Sequence, residues 1–140
     1  MAETSLVKKL LIKPGNRLLI LNAPDGYPAL LGELPEGVTI DTAPSSLYDQ
    51  VQVFAYHKAD LDTRAVAAIQ SVKPGGILWI MYPKKSGAIK TDISRDVGWE
   101  KVVAAGYEGV TQIAIDATWS ALRFRPFSEI KVLTREKYRK

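Results

Sequence analysis

The 140-residue sequence contains no cysteine and only one histidine, His57. The lack of cysteine excludes disulfides, thiolate metal ligands and a cysteine nucleophile. A single histidine has no histidine or cysteine partner with which to hold a metal ion, so we expect no metal site. The longest apolar runs, such as Leu18–Leu21, are far shorter than a membrane span, and the N-terminus lacks the pattern of a signal peptide. We therefore expect a cytoplasmic protein with no membrane partner.

Glycine is scarce in the loop that follows the first predicted strand. This loop contains Gly26 and also Pro24, which has no amide hydrogen to donate. A dinucleotide-binding loop needs several glycines so that the backbone can approach a pyrophosphate, and no Walker A motif is present. We do not expect NAD or ATP to bind through this loop, and the sequence predicts no cofactor.

The positive charge is concentrated at the C-terminus. Residues 131–140 contain five basic residues and one acidic residue, which together equal the net charge of +4 of the whole chain. Because the remainder is neutral, the composition does not favour nucleic acid as a partner. We interpret residues 1–127 as a single domain and residues 128–140 as a basic C-terminal tail.

Strand-length apolar runs alternate with short helical segments. The predicted strands are residues 17–21, 38–40, 51–56, 77–82, 109–116 and 119–124, and the last predicted helix runs from Asp92 or Ser94 to about Ala105. Such alternation predicts a largely parallel sheet with helices on both faces. The short connection Ala117-Thr118 makes the last two strands antiparallel to each other. We therefore predict an α/β fold, a Rossmann-like three-layer sandwich whose mostly parallel sheet ends in an antiparallel C-terminal hairpin.

Polar residues gather at the predicted carboxyl ends of the strands, where ligands bind in open α/β sheets. The candidate ligand-binding residues are Asn22, Asp25, Gly26 and Tyr27 after the first strand, Asp41 after the second, His57 after the third, and Tyr82, Lys84 and Lys85 after the fourth. Surface loops are rich in polar residues even without a ligand, so these positions also suit ordinary turns. They include no recognisable catalytic set.

Two arginines on the last predicted strand, Arg123 and Arg125, have side chains on the same face because strand residues alternate. They could join the lysines after the fourth strand in binding an anion, or pair with nearby aspartates such as Asp116.

Three segments resemble a family of small uncharacterised bacterial proteins. They are Leu78–Lys85, Lys90–Asp92 with Trp99, and Asp116–Phe124, and the resemblance extends from about Leu10 to Pro126. The segment Val72–Leu78 is also similar to the Lys-Pro-Gly-Gly turn of S-adenosylmethionine-dependent methyltransferases. The resemblance implies a shortened methyltransferase-like sheet. Methyltransferases have an acid-Gly-x-Gly loop after the first strand, whereas this chain has Asn22–Gly26.

The leading hypothesis is a non-catalytic or degenerate methyltransferase-like module that binds a small molecule, an anion or a protein partner at the strand ends. One alternative is an active S-adenosylmethionine-dependent methyltransferase with an atypical first loop, in which Asp41 holds the ribose. A second is a scaffold for nucleic acid or for assembly that uses the basic tail. A homo-oligomer is compatible with all three.

Overall fold

The computed structural model describes residues 6–84, 89–94 and 98–126. Four helices and six strands follow one another along this part of the chain. The helices are α1 (Leu6–Lys9), α2 (Tyr27–Leu31), α3 (Lys58–Ser71) and α4 (Glu100–Ala104). The strands are β1 (Arg17–Leu21), β2 (Thr39–Asp41), β3 (Tyr48–Phe54), β4 (Val72–Pro83), β5 (Tyr107–Ala114) and β6 (Trp119–Pro126). None of the described helices has the length and apolar character needed to cross a bilayer.

The six strands form one sheet in the order β2-β1-β3-β4-β6-β5. β1 pairs in parallel with β2 and β3, and β3 pairs in parallel with β4. β6 is antiparallel to both of its neighbours, β4 and β5, so it alone among these six strands runs in the opposite direction. The predicted Rossmann-like α/β sheet with an antiparallel C-terminal hairpin is confirmed.

The core consists of two apolar clusters, one on each face of the sheet. Alternate residues of each strand enter opposite clusters, so Leu19 and Val53 pack on the face covered by α3 and α4. Leu18 and Trp79 pack on the other face, with residues of α1 and α2. Both faces of the central strands are covered, which explains why their sequences are continuously apolar.

The last predicted helix is shorter in the structure. The prediction begins the helix at Asp92 or Ser94, whereas α4 begins at Glu100. Asp92 instead accepts a 2.7 Å hydrogen bond from the amide of Lys58 and so caps the first turn of α3. The indole of Trp99 donates to the carbonyl of Ser94 at 2.8 Å. These contacts hold Asp92, Ser94 and Trp99 in non-helical conformations.

An ionic cluster joins three strands at the amino-terminal edge of the sheet. The carboxylate of Asp49 accepts a hydrogen bond of 2.8 Å from the amide of Arg17 and one of 2.9 Å from the ammonium of Lys73. The hydrogen bond from Arg17 lowers the pKa of Asp49, and the hydrogen bond from Lys73 lowers it further. Asp49 thereby ties the starts of β1 and β4 to β3.

Candidate functional site

A crevice lies beside the carboxyl ends of β1 and β2. The chain leaves β1 towards β2 on one side, whereas β3 lies on the other, so the strand order reverses at β1. Ligands of open α/β sheets bind near such a reversal. The crevice has a volume of about 470 Å³, within the usual range for small-molecule sites. Its described lining residues are Ile20, Asn22, Ala23, Pro24, Asp25, Gly26, Tyr27, Leu31, Ile40 and Thr42.

The loop from Asn22 to Gly26 turns sharply after β1. Asn22 has a φ of 62° and Gly26 a φ of 88°, both in the left-handed region that asparagine and glycine tolerate best. Pro24 lies between them and has no amide hydrogen, while the amide of Tyr27 donates to the carbonyl of Pro24 at 3.2 Å. Pro24 therefore removes from this loop one of the backbone donors that a phosphate group needs.

The side chain of Asn22 spans the gap between β1 and β3. Its amide nitrogen donates to the carbonyl of Phe54 at 3.0 Å and lies 3.4 Å from Oδ2 of Asp60 in α3. The same oxygen of Asp60 accepts the amide of Tyr56 at 3.1 Å, and its other oxygen accepts Nε of Arg64, also at 3.1 Å. Asn22 and Asp60 thus link the carboxyl ends of β1 and β3 to α3 at the point where the strand order reverses. Asp60 lies in the first turn of α3, and its contact with Asn22 is not evident from the sequence.

Tyr27 forms part of the crevice wall, but its hydroxyl points into the core. The residue is 1% exposed, and its hydroxyl donates to the side-chain carbonyl of Gln52 at 2.5 Å. Gln52 donates in turn to Gln50, which donates to the backbone carbonyl of Leu10. Burial raises the pKa of the Tyr27 hydroxyl, so it remains protonated. Tyr27 anchors the crevice wall, and its hydroxyl is already used.

Asp41 is at the carboxyl end of β2, but its carboxylate is outside the described lining of the crevice, which contains its neighbours Ile40 and Thr42. It accepts hydrogen bonds from the hydroxyls of Tyr48 at 2.5 Å and Ser45 at 3.3 Å. One guanidinium nitrogen of Arg17 lies 3.9 Å from it. The structure therefore places Asp41 in a polar group apart from the crevice residues.

The other candidate residues lie further along the sheet edge. His57 is exposed immediately before α3 and makes no side-chain capping hydrogen bond. Tyr82 is buried, and its hydroxyl accepts a hydrogen bond of 2.9 Å from Gln112. Lys84 is half-buried, with its amide bonded to the carbonyl of Thr118 at 2.7 Å. Lys85 lies outside the described residues, as does the tail from residue 128 onwards.

The candidates therefore form separate groups. Asn22, Asp25, Gly26 and Tyr27 share the crevice, and within that group Asp25 has an exposed side chain. Within residues 6–84, 89–94 and 98–126, no three acidic or histidine side chains are arranged to hold a metal ion.

The fold is similar to those of S-adenosylmethionine-dependent methyltransferases. DhpI, solved in complex with SAH, aligns with a TM-score of 0.58 and 13% identity over 87% of this chain and 82% of DhpI. A SAM-dependent methyltransferase from Aquifex aeolicus gives a TM-score of 0.58 and 14% identity over 85% of this chain and 86% of that chain. The cyclase SpnF aligns with a TM-score of 0.53 and 15% identity over 85% of this chain and 77% of SpnF. No protein-family model matches the sequence, and no curated protein is significantly similar to it.

These similarities define the class of the fold. The chain has a methyltransferase-like Rossmann fold, with the sheet order and the reversed strand described above. SpnF, described as a cyclase, has a similar fold, so the fold alone does not specify methyl transfer. Function has to be argued from the side chains at the strand ends.

Proposed function

We propose that this protein is a non-catalytic module with the methyltransferase fold, and that it binds a small molecule or a protein partner in the crevice after β1. The observation that carries the proposal is the set of hydrogen bonds that Asn22 and Asp60 make at the carboxyl ends of β1 and β3. The amide of Asn22 is bonded to Phe54 and lies beside Asp60, whose carboxylate is already bonded to Tyr56 and Arg64. These polar groups satisfy one another at the place where this fold class receives a ligand.

The residues at the strand ends do not fit S-adenosylmethionine in the way that the family resemblance implies. Pro24 cannot donate an amide hydrogen, and the carboxylate of Asp41 accepts from Tyr48 instead of facing the crevice. Redirecting Asp41 towards a ribose would break a short hydrogen bond to a charged acceptor, a contact worth about 1.5–3 kcal/mol. This cost argues against the alternative of an active methyltransferase.

The crevice itself remains suited to a small ligand. Its walls are mainly apolar, from Ile20, Leu31 and Ile40, and the carboxylate of Asp25 and the hydroxyl of Thr42 are its nearby polar groups. A concave apolar surface with a few polar groups is the usual form of a small-molecule site. Asp25 and Thr42 are both exposed and both line the crevice, and Asp25 is the one charged residue in its described lining, so it can make the strongest polar contact.

Two measurements test the proposal. Native mass spectrometry of gently purified protein reports any small molecule or partner that is retained. A thermal-shift panel of nucleotides and S-adenosyl compounds then compares wild type with Asp25→Ala and with Glu36→Ala, which removes an exposed carboxylate outside the described crevice lining. We expect a stabilising ligand to lose its effect in Asp25→Ala and keep it in Glu36→Ala. Stabilisation that survives Asp25→Ala would place the ligand elsewhere.

The basic tail is the feature behind the scaffold alternative. Under that alternative, deletion of residues 128–140 abolishes binding to nucleic acid at low salt. Under the crevice proposal, the deletion leaves ligand binding unchanged.

A further inference from the structure

A second hollow lies between α1 and the segment that follows α2. Its volume is about 690 Å³, larger than the crevice and within the usual range for small-molecule sites. Its lining comes from the segments that precede β1 and β2, and it shares no described lining residue with the crevice. We call this hollow the amino-terminal groove, and its apolar lining residues are Val7, Leu11, Ile12, Pro14, Leu34 and Pro35.

The two segments that line the groove are held together before any ligand arrives. The amide of Gly15 donates to the carbonyl of Glu36 at 2.9 Å, which ties the segment before β1 to the segment before β2. Pro14 and Pro35 each fix one backbone torsion next to this contact. A preformed apolar cavity binds a ligand with little cost of ordering the protein, so the groove suits an apolar chain.

One residue of the lining has a strained backbone. The chain leaves α1 in a Schellman motif, in which the amide of Ile12 donates to the carbonyl of Val7 and the amide of Leu11 donates to that of Lys8, both at 3.1 Å. Leu11 holds the left-handed position of the motif, with a φ of 67°. Glycine is the usual residue there, because the Cβ atom of leucine crowds the backbone.

The motif itself does not need the leucine side chain. The apolar pair that ordinarily accompanies a Schellman motif corresponds here to Val7 and Ile12, which are both buried in the same cluster. The neighbouring carbonyl of Leu10 accepts Nε2 of Gln50 at 2.9 Å and Nε1 of Trp79 at 3.0 Å, so the strained conformation is held by the core. Strain that the surrounding structure maintains at the wall of a cavity indicates a use for the side chain placed there.

The charged residues of the described lining are two cations and one anion. Lys8 and Lys13 come from α1 and the residues just after it, and Glu33 comes from the segment after α2. Lys13 is exposed at the groove, so its ammonium group can meet a ligand without prior desolvation. A largely apolar groove with an accessible cation complements a molecule that has an apolar chain and an anionic end.

We propose that the amino-terminal groove binds a small molecule that consists of an alkyl chain and a carboxylate. The chain packs against Leu11 and Leu34, and the carboxylate accepts hydrogen bonds from the ammonium group of Lys13. This site is additional to the crevice and does not depend on what the crevice binds.

Titration by NMR distinguishes the parts of this ligand. Octanoate, 1-octanol, octylamine and butyrate are added separately to isotope-labelled full-length protein at constant ionic strength. We expect octanoate to give saturable changes at the amides of Leu11, Ile12 and Glu33 and none at the crevice amides of Gly26 and Thr42. The neutral and cationic probes lack the charge, and butyrate lacks most of the chain, so each should bind at least tenfold more weakly.

Matched lysine variants test the position of the carboxylate. Lys13→Gln should weaken octanoate binding at least tenfold, whereas Lys9→Gln removes an exposed cation outside the described groove lining and should leave it unchanged. Equal binding by Lys13→Gln would remove Lys13 from the site.

A leucine variant tests the role of the strained residue. Leu11→Asn keeps a residue that tolerates positive φ, so the unfolding temperature should stay close to that of wild type while octanoate binding weakens at least tenfold. Leu47→Asn, which changes an exposed leucine outside the described groove lining, should leave binding unchanged. A fall of more than about 5 °C in the Leu11→Asn protein would show that Leu11 is retained for packing and would overturn the strain argument.

The remaining outcomes of the titration are also decisive. Changes that do not saturate, or that centre on Gly26 and Thr42, overturn the proposed site. Binding of 1-octanol or octylamine as tight as that of octanoate overturns the carboxylate, and equal binding of butyrate overturns the alkyl chain.

Discussion

The hydroxyl of Tyr48 donates a 2.5 Å hydrogen bond to Oδ2 of Asp41, the acidic residue at the end of β2. Tyr48 is fully buried at the start of β3, so the acceptor is held by a side chain with little freedom to move. Arg17 stacks over the Tyr48 ring, with its guanidinium carbon 5.1 Å from the ring centre, and also approaches Asp41. The acid that the active-methyltransferase alternative assigns to a ribose thus has a structural role in joining β1, β2 and β3.

Substitution Tyr48→Phe removes this hydrogen bond and retains the buried ring. We expect the free energy of unfolding to fall by about 1.5–3 kcal/mol, the usual contribution of a hydrogen bond to a charged group. Tyr56→Phe is the matched control, because no hydrogen bond of the Tyr56 hydroxyl is found in the described part of the chain. Urea unfolding measures both variants, and equal stability of the two would contradict the structural role of the Tyr48 hydroxyl.

The contributions of Tyr27 and Gln52 to stability are expected to be coupled through their buried hydrogen bond. Tyr27→Phe leaves the side-chain carbonyl of Gln52 without its donor, which should cost about 1–3 kcal/mol. In a Gln52→Leu background the same change should cost much less, because the Gln52 oxygen that Tyr27→Phe would leave without a donor is no longer present. A double-mutant cycle from denaturant unfolding measures this coupling. Additive effects of the two substitutions would show that the contact contributes nothing to stability.

The stability of the protein should fall in acid partly through Asp49. Its pKa is lowered in the folded state, chiefly by the hydrogen bond from Arg17 and then by the one from Lys73. Its contribution is therefore fully present above the ordinary aspartate pKa of about 4 and is lost as the pH falls through the lower folded value. Asp49→Asn should lower the free energy of unfolding by about 1 kcal/mol at neutral pH, and the stability of this variant should decline less steeply than that of wild type below about pH 4. Parallel pH profiles for the variant and wild type would contradict this assignment.

Neighbouring glycines in the Lys-Pro-Gly-Gly segment at the start of β4 should respond differently to substitution. A Cβ atom on Gly76 would lie 2.8 Å from Cγ2 of Val72 and 3.0 Å from the carbonyl of Asp49, whereas Gly75 has open space and a φ of 78°. Gly75→Asn should therefore be tolerated, since asparagine adopts positive φ readily. Gly76→Asn should destabilise the protein by about 1–3 kcal/mol. Thermal unfolding of the two variants measures the difference, and a reversed order would contradict this geometry at the start of β4.

The strand pattern made much of the fold predictable. Leu18–Leu21 and Ile77–Met81 are continuously apolar because both sheet faces are covered, and this property is local to the sequence. The short connection before Trp119 also predicted the antiparallel final pair. The start of α4 was not predictable, because Asp92 is held by the amide of Lys58, a residue distant in sequence.

The position of the loop after β1 was predictable from the sequence, whereas the contacts of its polar side chains were not. Asn22–Tyr27 does line a crevice at the strand ends, as the loop chemistry indicates. The use of each polar group depends on long-range partners: Phe54 and Asp60 for Asn22, and Gln52 for Tyr27. Alternation along a strand would have placed Asp41 and Ile40 on opposite faces, but it could not identify Tyr48 as the partner of Asp41.

The central claim, that this protein does not use Asp41 to bind S-adenosylmethionine, is tested most directly by titrating the cofactor into isotope-labelled protein. The amide signals of Asp41 and Thr42 report on the end of β2. We predict no saturable change at these amides up to millimolar concentration. Saturable binding at these positions that is lost in Asp41→Ala and retained in Glu36→Ala would contradict the account and favour an active methyltransferase.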